Sequence, residues 1–412
     1  MSATGSVDPR ARRARVGVSL LFLVNGALVA NILPRLPAIK AGLDLSNAEL
    51  GAAIAAMPVG GLLAGGFAGF LIHRFGSGRL AVSVGTVYGL LLVLVGIAPS
   101  WLALAGSFLV LGVLDATMDA AENAHGIAVQ RRYGRSILHS FHGWWSAGTM
   151  LGGAMGAVAA AAGVPVAVGL AVAGVGLAIV ALGSTVLLLP DVEADAAEPT
   201  DQAVEPIHLR NAPRLLRLLG PIALLGLLGV MLEDAAQTWS TVYLVDVLGL
   251  AAGIAAVAFV LYTGAMTVGR LTNDRWVDRW GDARIGRWGA ALAAVGLGLV
   301  ALAGPTGIAW IAFVGFVGVG IGASSMFPLM VDAAGSRPDI PPAHAVAMVS
   351  WLARAGFVIA PTLMGVAADA FGLSVAFLIP LSAALLVVVL APTLLAGSTP
   401  SPDRQLVEPT GY

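Results

Sequence analysis

The chain has 412 residues, of which 58% are hydrophobic and only 11% charged, with a mean hydropathy of +0.90. Ordinary soluble domains carry about 25% charged residues, so this composition cannot furnish a water-facing surface, and it excludes a disordered chain as well. A net charge of −1 offers nothing to nucleic acid, and the absence of cysteine excludes disulfides, thiolate metal sites and cysteine nucleophiles.

A bilayer-spanning helix needs about 20 mostly apolar residues. Twelve segments meet that need in chain order: Val16–Leu36, Ala48–Ile72, Leu80–Ala98, Trp101–Val129, Leu138–Ala162, Pro165–Leu188, Leu215–Tyr243, Gly253–Thr272, Ile285–Ala303, Gly307–Val331, Ala343–Ala368 and Leu373–Leu395. The fold class expected is an all-α membrane protein with two six-helix halves, 1–189 and 215–397. A polar, acidic linker at 190–214 joins them and a tail at 398–412 follows.

Basic residues cluster at the N-terminal tail (Arg10, Arg12, Arg13, Arg15) and at every second connection after it, including Arg74, Arg79, Arg131, Arg132, Arg279 and Arg284. The alternate connections hold only Arg35 and Lys40. By the bias of Lys and Arg toward the inner side, both termini are expected in the cytoplasm and the chain in the cytoplasmic (inner) membrane. The first apolar stretch follows a basic tail, as in a signal peptide. It lacks a small-residue cleavage site and is read as an uncleaved helix.

The two halves repeat. His73-Arg74-Phe75-Gly76 follows the second span and Asp278-Arg279-Trp280-Gly281 the eighth, an offset of 205 from position 73 to position 278. Gly148 in the fifth span matches Gly356 in the eleventh more loosely. Parallel halves of this kind are a transporter plan, with solute sites near the bilayer midplane.

Twelve spans, a central acidic linker and a D-R-x-G turn in both halves resemble the major facilitator superfamily. The first copy of its loop motif, Gly69 through Arg79, reads G-F-L-I-H-R-F-G-S-G-R, with His73 where the family has Asp. The second, Gly269 through Gly281, keeps the acid at Asp278. Three further stretches resemble the fucose-permease-like branch of bacterial inner-membrane proteins: Asp119-x-x-x-Asn123-Ala124-x-Gly126, Ser140-Phe141-His142-Gly143 and Trp239-Ser240-x-x-Tyr243-Leu244. The resemblance implies a secondary transporter that alternates between inward-open and outward-open states. It also implies a cytoplasmic gate at His73, Arg74, Asp274, Asp278 and Arg279. The plainer reading of these arginines is that they only hold helix ends inside. His73 in place of Asp could make its half of the gate sensitive to pH.

Charge inside a span is costly and functional by default. Asp115, Asp119 and Glu122 fall within roughly 60° of one another at 100° per residue. Three carboxylates so close cannot all stay ionised away from water, so one of them can carry a proton. With Arg354, read as the only basic residue deep in a span, they form the candidate proton-coupling set. Arg354 either neutralises one of these acids or holds an anionic solute. Candidate solute contacts are Asn25, Asn123, Trp145, Glu233, Asp234, Gln237 and Trp239. Ser324 and Ser325 either face the cavity or bond back to their own helix.

The leading expectation is a proton-coupled carrier, working as a monomer without cofactor or metal, for a small polar or amphipathic organic solute. The alternatives are a drug or metabolite efflux antiporter, a passive polytopic pore and a membrane enzyme. The Gly-Pro pair of drug/proton antiporters is absent from the glycine run of the fifth span. No Gly-x-Ser-x-Gly, His-Glu-x-x-His or ATP-binding Gly-x-x-x-x-Gly-Lys occurs, which argues against an enzyme and against direct ATP drive.

Overall fold

A computed structural model describes residues 8–190, 212–337 and 340–394. The predicted tail lies outside these residues, as does nearly all of the predicted linker. Every regular element among them is helical, and all twelve predicted spans are helices. They are α1 (Pro9–Gly42), α2 (Asn47–Gly65, resuming at Ala68–Phe75), α3 (Ser77–Ile97), α4 (Trp101–Tyr133), α5 (Leu138–Ala161), α6 (Val166–Leu187), α7 (Ala212–Asp246), α8 (Ala252–Trp280), α9 (Asp282–Thr306), α10 (Ala309–Gly335), α11 (Pro342–Phe371) and α12 (Leu373–Pro392). Eleven of them are long and apolar enough to cross a membrane; α5, at 24 residues, is the twelfth.

Sequence reading placed some ends too early. The 33 residues of α4 extend about 50 Å at 1.5 Å per residue, more than a bilayer core needs. Its arginine-bearing end therefore continues past the apolar stretch that hydropathy detects. The same holds for α8, which runs on from Thr272 to Trp280.

The internal repeat is visible in the backbone. Gly76 (φ 85°) and Gly281 (φ 79°) are single-residue links between consecutive helices, 205 positions apart like the motifs that contain them. A side chain at either φ would be strained. Next to each link an arginine lies over an aromatic ring, Arg74 over Phe75 at 5.8 Å and Arg279 over Trp280 at 5.5 Å.

The chain forms two compact units. The first comprises Met1–Asp201, Gln237–Thr263 and Pro361–Ala376, and the second comprises Gln202–Ala236, Gly264–Ala360 and Phe377–Tyr412. In the first, α1 packs on α5, α2 on α4, and α3 on α4 and α6. In the second, α9 packs on α10 and α12.

The α1–α5 seam shows why the spans are rich in glycine. Asn25 and Asn31 are both buried on α1. Trp145 Nε1 donates to Asn25 Oδ1 at 3.0 Å, and Asn31 Nδ2 donates to the Gly152 carbonyl at 3.3 Å. These bonds need the backbones close together, and a Cβ on Gly152 would run into the Ala27 carbonyl. Gly152→Val is therefore expected to destabilise the protein by about 1–3 kcal/mol or more through overpacking. A thermal melt in detergent would show it, and a melt equal to the parent's would mean that the seam can spread.

The arginine-bearing ends of α1 and α4 are fastened to each other, and α1 to the end of α6. Arg15 Nη1 donates to the Tyr133 hydroxyl at 2.9 Å, Arg13 Nη2 to the Val186 carbonyl at 3.1 Å, and Arg132 Nε to Asp8 Oδ2 at 2.6 Å. Asp8 also caps α1 by accepting from the Arg10 N–H. That N–H first, and then Arg132, hold the Asp8 carboxyl below the usual carboxylate range. A lowered native pKa stabilises the fold above the unfolded value of about 3.9, and the gain is lost as pH falls through the native value. The difference in melting temperature between wild type and Asp8→Asn is thus expected to stay constant from neutral pH to about pH 5 and to shrink below about pH 4.

Candidate functional site

Three sets of polar residues stand out on the helices. The first is on α4. Glu122 is fully buried, and neither of its carboxyl oxygens has a hydrogen-bond partner among the described residues. Asp119 and Asp115 stand about one and two turns away on the same helix and add like charge to it. Asn123 Nδ2 donates to Asp119 Oδ1 at 3.0 Å and to the Asp119 carbonyl at 2.8 Å, joining two predicted residues. One turn beyond Glu122, the buried His125 Nδ1 lies 3.0 Å from Ser77 Oγ. Ser77 belongs to the loop motif, so the motif and the acid-bearing helix are in direct contact.

The second set comprises residues of α7, α8 and α11, of which Glu233, Asp234, Arg270 and Arg354 belong to the second compact unit and Gln237 and Trp239 to the first. Glu233 Oε1 accepts from Arg270 Nη2 of α8 at 3.2 Å. Arg270 stands three residues before the end of the apolar span of α8, from where its guanidinium reaches Glu233. It lies in Val268-Gly269-Arg270-Leu271, ten residues short of the end of α8. Arg354 itself is exposed, and no carboxylate of a described residue lies within ion-pair distance of it. Asp234 is buried and Gln237 half-buried; Trp239 is fully buried. Of the predicted solute contacts, Asn25 and Trp145 meet each other at the α1–α5 seam, and the Asn25 Nδ2 has no partner among the described residues. Ser324 Oγ bonds back to the Ile321 carbonyl at 2.6 Å and accepts from Asn273 Nδ2 at 2.9 Å.

The third set was not foreseen and lies at the ends of the helices opposite the arginines. Lys40 Nζ pairs with Asp246 Oδ2 at 2.5 Å. Thr241 Oγ1 donates to the Leu33 carbonyl at 3.2 Å, and the Tyr243 hydroxyl is 3.4 Å from Ser374 Oγ. Asp369, near the end of α11, accepts from the Asn47 N–H at 2.9 Å, the Asn47 Nδ2 at 2.9 Å and the Ala48 N–H at 2.8 Å. These are the first two residues of α2, whose orphan N–H groups call for an acceptor. Ser46 and Glu49 already form a capping box there, so Asp369 completes the cap from a distant helix. All these contacts are inside the first unit.

The candidate gate residues His73, Arg74, Asp278 and Arg279 are exposed at helix ends; the Asp274 side chain lies outside the described residues. Among the described residues, no group of three His, Cys, Asp or Glu side chains could hold a metal ion.

Comparison with known proteins places this geometry in a family. Residues 18–342 match the family model described as Major Facilitator Superfamily. The Uncharacterized transporter y4wD of Sinorhizobium fredii is 32% identical over 378 residues, covering 92% of this chain and 97% of that protein. Membrane protein MosC of Rhizobium meliloti is 27% identical, covering 92% and 90%. Among solved structures, the nucleoside transporter NupG superposes with a TM-score of 0.77 at 13% identity, covering 93% and 99%. A D-xylose-proton symporter gives 0.76 at 15%, covering 94% and 98%. At such identities the two structures show the shared fold.

Proposed function

The chain belongs to the Major Facilitator Superfamily, and from that premise we propose that this multi-pass membrane transporter moves a small polar or amphipathic organic solute by alternating access, driven by protons. Family and relatives are transporters rather than enzymes. The reading places it in the cytoplasmic membrane with both termini inside, following the distribution of arginine. The arginine-bearing ends then face the cytoplasm, and the ends joined by Lys40–Asp246 and Asp369 face outward.

The observation that carries proton coupling is the Glu122 carboxyl. A carboxylate ion with no hydrogen bond in a dry site is penalised by several kcal/mol, whereas the neutral acid fits. Asp119 and Asp115 add like charge. Such a cluster takes up a proton in one state and releases it when the surrounding helices rearrange. The name of one structural neighbour, a proton symporter, agrees with this reading.

Alternating access requires that the contacts at the outer ends break, because a solute cannot enter from a side that is fastened shut. A solute or a proton can bias the two states only by binding one of them better. Reconstituted protein with a pH gradient across the vesicle should accumulate its solute above the equilibrium level, and collapse of the gradient by a protonophore should release it. Accumulation that ignores the protonophore would remove protons from the mechanism.

A further inference from the structure

The two predicted roles of Arg354 were to neutralise a buried acid or to hold an anion. The structure separates them. Arg354 lies about 18 Å along α11 from Pro342 at 1.5 Å per residue, near mid-span. It is exposed and makes no ion pair with a described carboxylate, whereas Arg270 is matched by Glu233. An arginine at that depth does not face hydrocarbon, because an unpaired charge there is too costly. Its exposed surface therefore meets water.

The face of α11 that carries Arg354 says more. At about 100° per residue, Ala347, Trp351, Arg354, Gly365 and Asp369 fall within roughly 60° of one another. Toward the outer end this stripe meets the start of α2: Gly365 is buried against the Asn47 backbone, and Asp369, though exposed, bonds to Asn47 and Ala48. Toward the arginine-bearing end the same stripe is bare, with Trp351 62% exposed one turn from Arg354. A large aromatic face and an unmatched guanidinium, side by side on one wetted helix face, form an amphipathic receptor. The ring takes a flat apolar body and the guanidinium takes a carboxylate or phosphate through paired N–H bonds.

We propose that the transported solute is an organic anion, its acidic group held by Arg354 and its apolar or ring portion lying on Trp351. The proposal rests on the transport reading above and narrows it to a substrate class. The proton set on α4 lies in the other compact unit, so coupling and anion recognition use different residues.

The test uses the full-length protein purified in detergent, with probes in matched pairs: benzoate against benzamide, and indole-3-acetate against indole-3-acetamide. The acids are expected to raise the melting temperature and the amides not. Arg354→Gln should melt like the parent without ligand, since the side chain is exposed, and should lose the shift produced by the acids. Arg354→Lys should keep part of it. Trp351→Ala should weaken acid binding by about 2- to 10-fold. Equal shifts with acids and amides, retention of the shift in Arg354→Gln, or no shift with any acid would each overturn the proposal. Counterflow in proteoliposomes with the same probes keeps the two readings apart. Exchange of the amides but not the acids would refute the anion while leaving transport intact. Acid binding without exchange would refute transport of these acids and keep the site.

Discussion

Replacing Asp369 with alanine is expected to raise the fraction of molecules with parted outer ends by about 2- to 30-fold, the equivalent of the 0.5–2 kcal/mol lost with a helix N-cap. The substitution deletes three hydrogen bonds of 2.8–2.9 Å, two of them to the orphan N–H groups of α2. These bonds exist only while the ends of α2 and α11 touch, so their loss is charged to the closed form alone. The Lys40–Asp246 pair is partly exposed and contributes far less, about 0–1 kcal/mol. Asp246→Asn should accordingly shift the equilibrium less than Asp369→Ala. Spin labels at the exposed Ala41 and at Val247 would report the separation. An unchanged distance distribution in Asp369→Ala would mean that the bonds follow closure without holding it.

Glu122→Gln is expected to abolish accumulation driven by a pH gradient while leaving solute exchange close to that of the parent. The amide resembles the protonated acid in size and in lacking charge, so the carrier still cycles but cannot release a proton. Glutamine also places no ion in the buried site, and the fold should survive. Asp119→Asn is expected to act in the same direction but less completely, because Asp119 is half-buried and already engaged by Asn123. Uphill accumulation by Glu122→Gln equal to the parent's would take Glu122 out of the coupling step. Loss of exchange as well would make it a structural residue.

The helical plan was legible because lipid imposes it. A run of about 20 apolar residues has few other uses, and the arginine-bearing loops repeat at a spacing that the backbone reproduces at Gly76 and Gly281. The α4 acids were legible for the same reason, since charge in an apolar run signals itself. Arg270 is harder to read, because it stands three residues before the end of the apolar span of α8, where an arginine can simply hold a helix end inside. The contacts at the helix ends opposite the arginine clusters were not legible. Lys40 and Asp246 are 206 residues apart, and Asn47 and Asp369 are 322 apart. Each looks like an ordinary polar residue at a helix end, and one sequence carries no sign of which ends meet. Trp239 shows a different limit. Its place in the seventh span, facing the expected central cavity, suggests solute contact, and in this structure it is fully buried in a stretch whose neighbours Thr241 and Tyr243 bond to the ends of other helices.

The central claim is that solute and protons move in one coupled cycle. The most direct test adds solute, from a panel of organic acids and neutral analogues, to proteoliposomes at equal internal and external pH, with a trapped pH dye as the reporter. The account predicts that a transported solute displaces protons across the membrane, that the displacement vanishes in Glu122→Gln, and that unlabelled solute still exchanges for labelled solute in that variant. Solute entry with no proton movement in the wild type, at a rate indifferent to an imposed pH gradient, would contradict it.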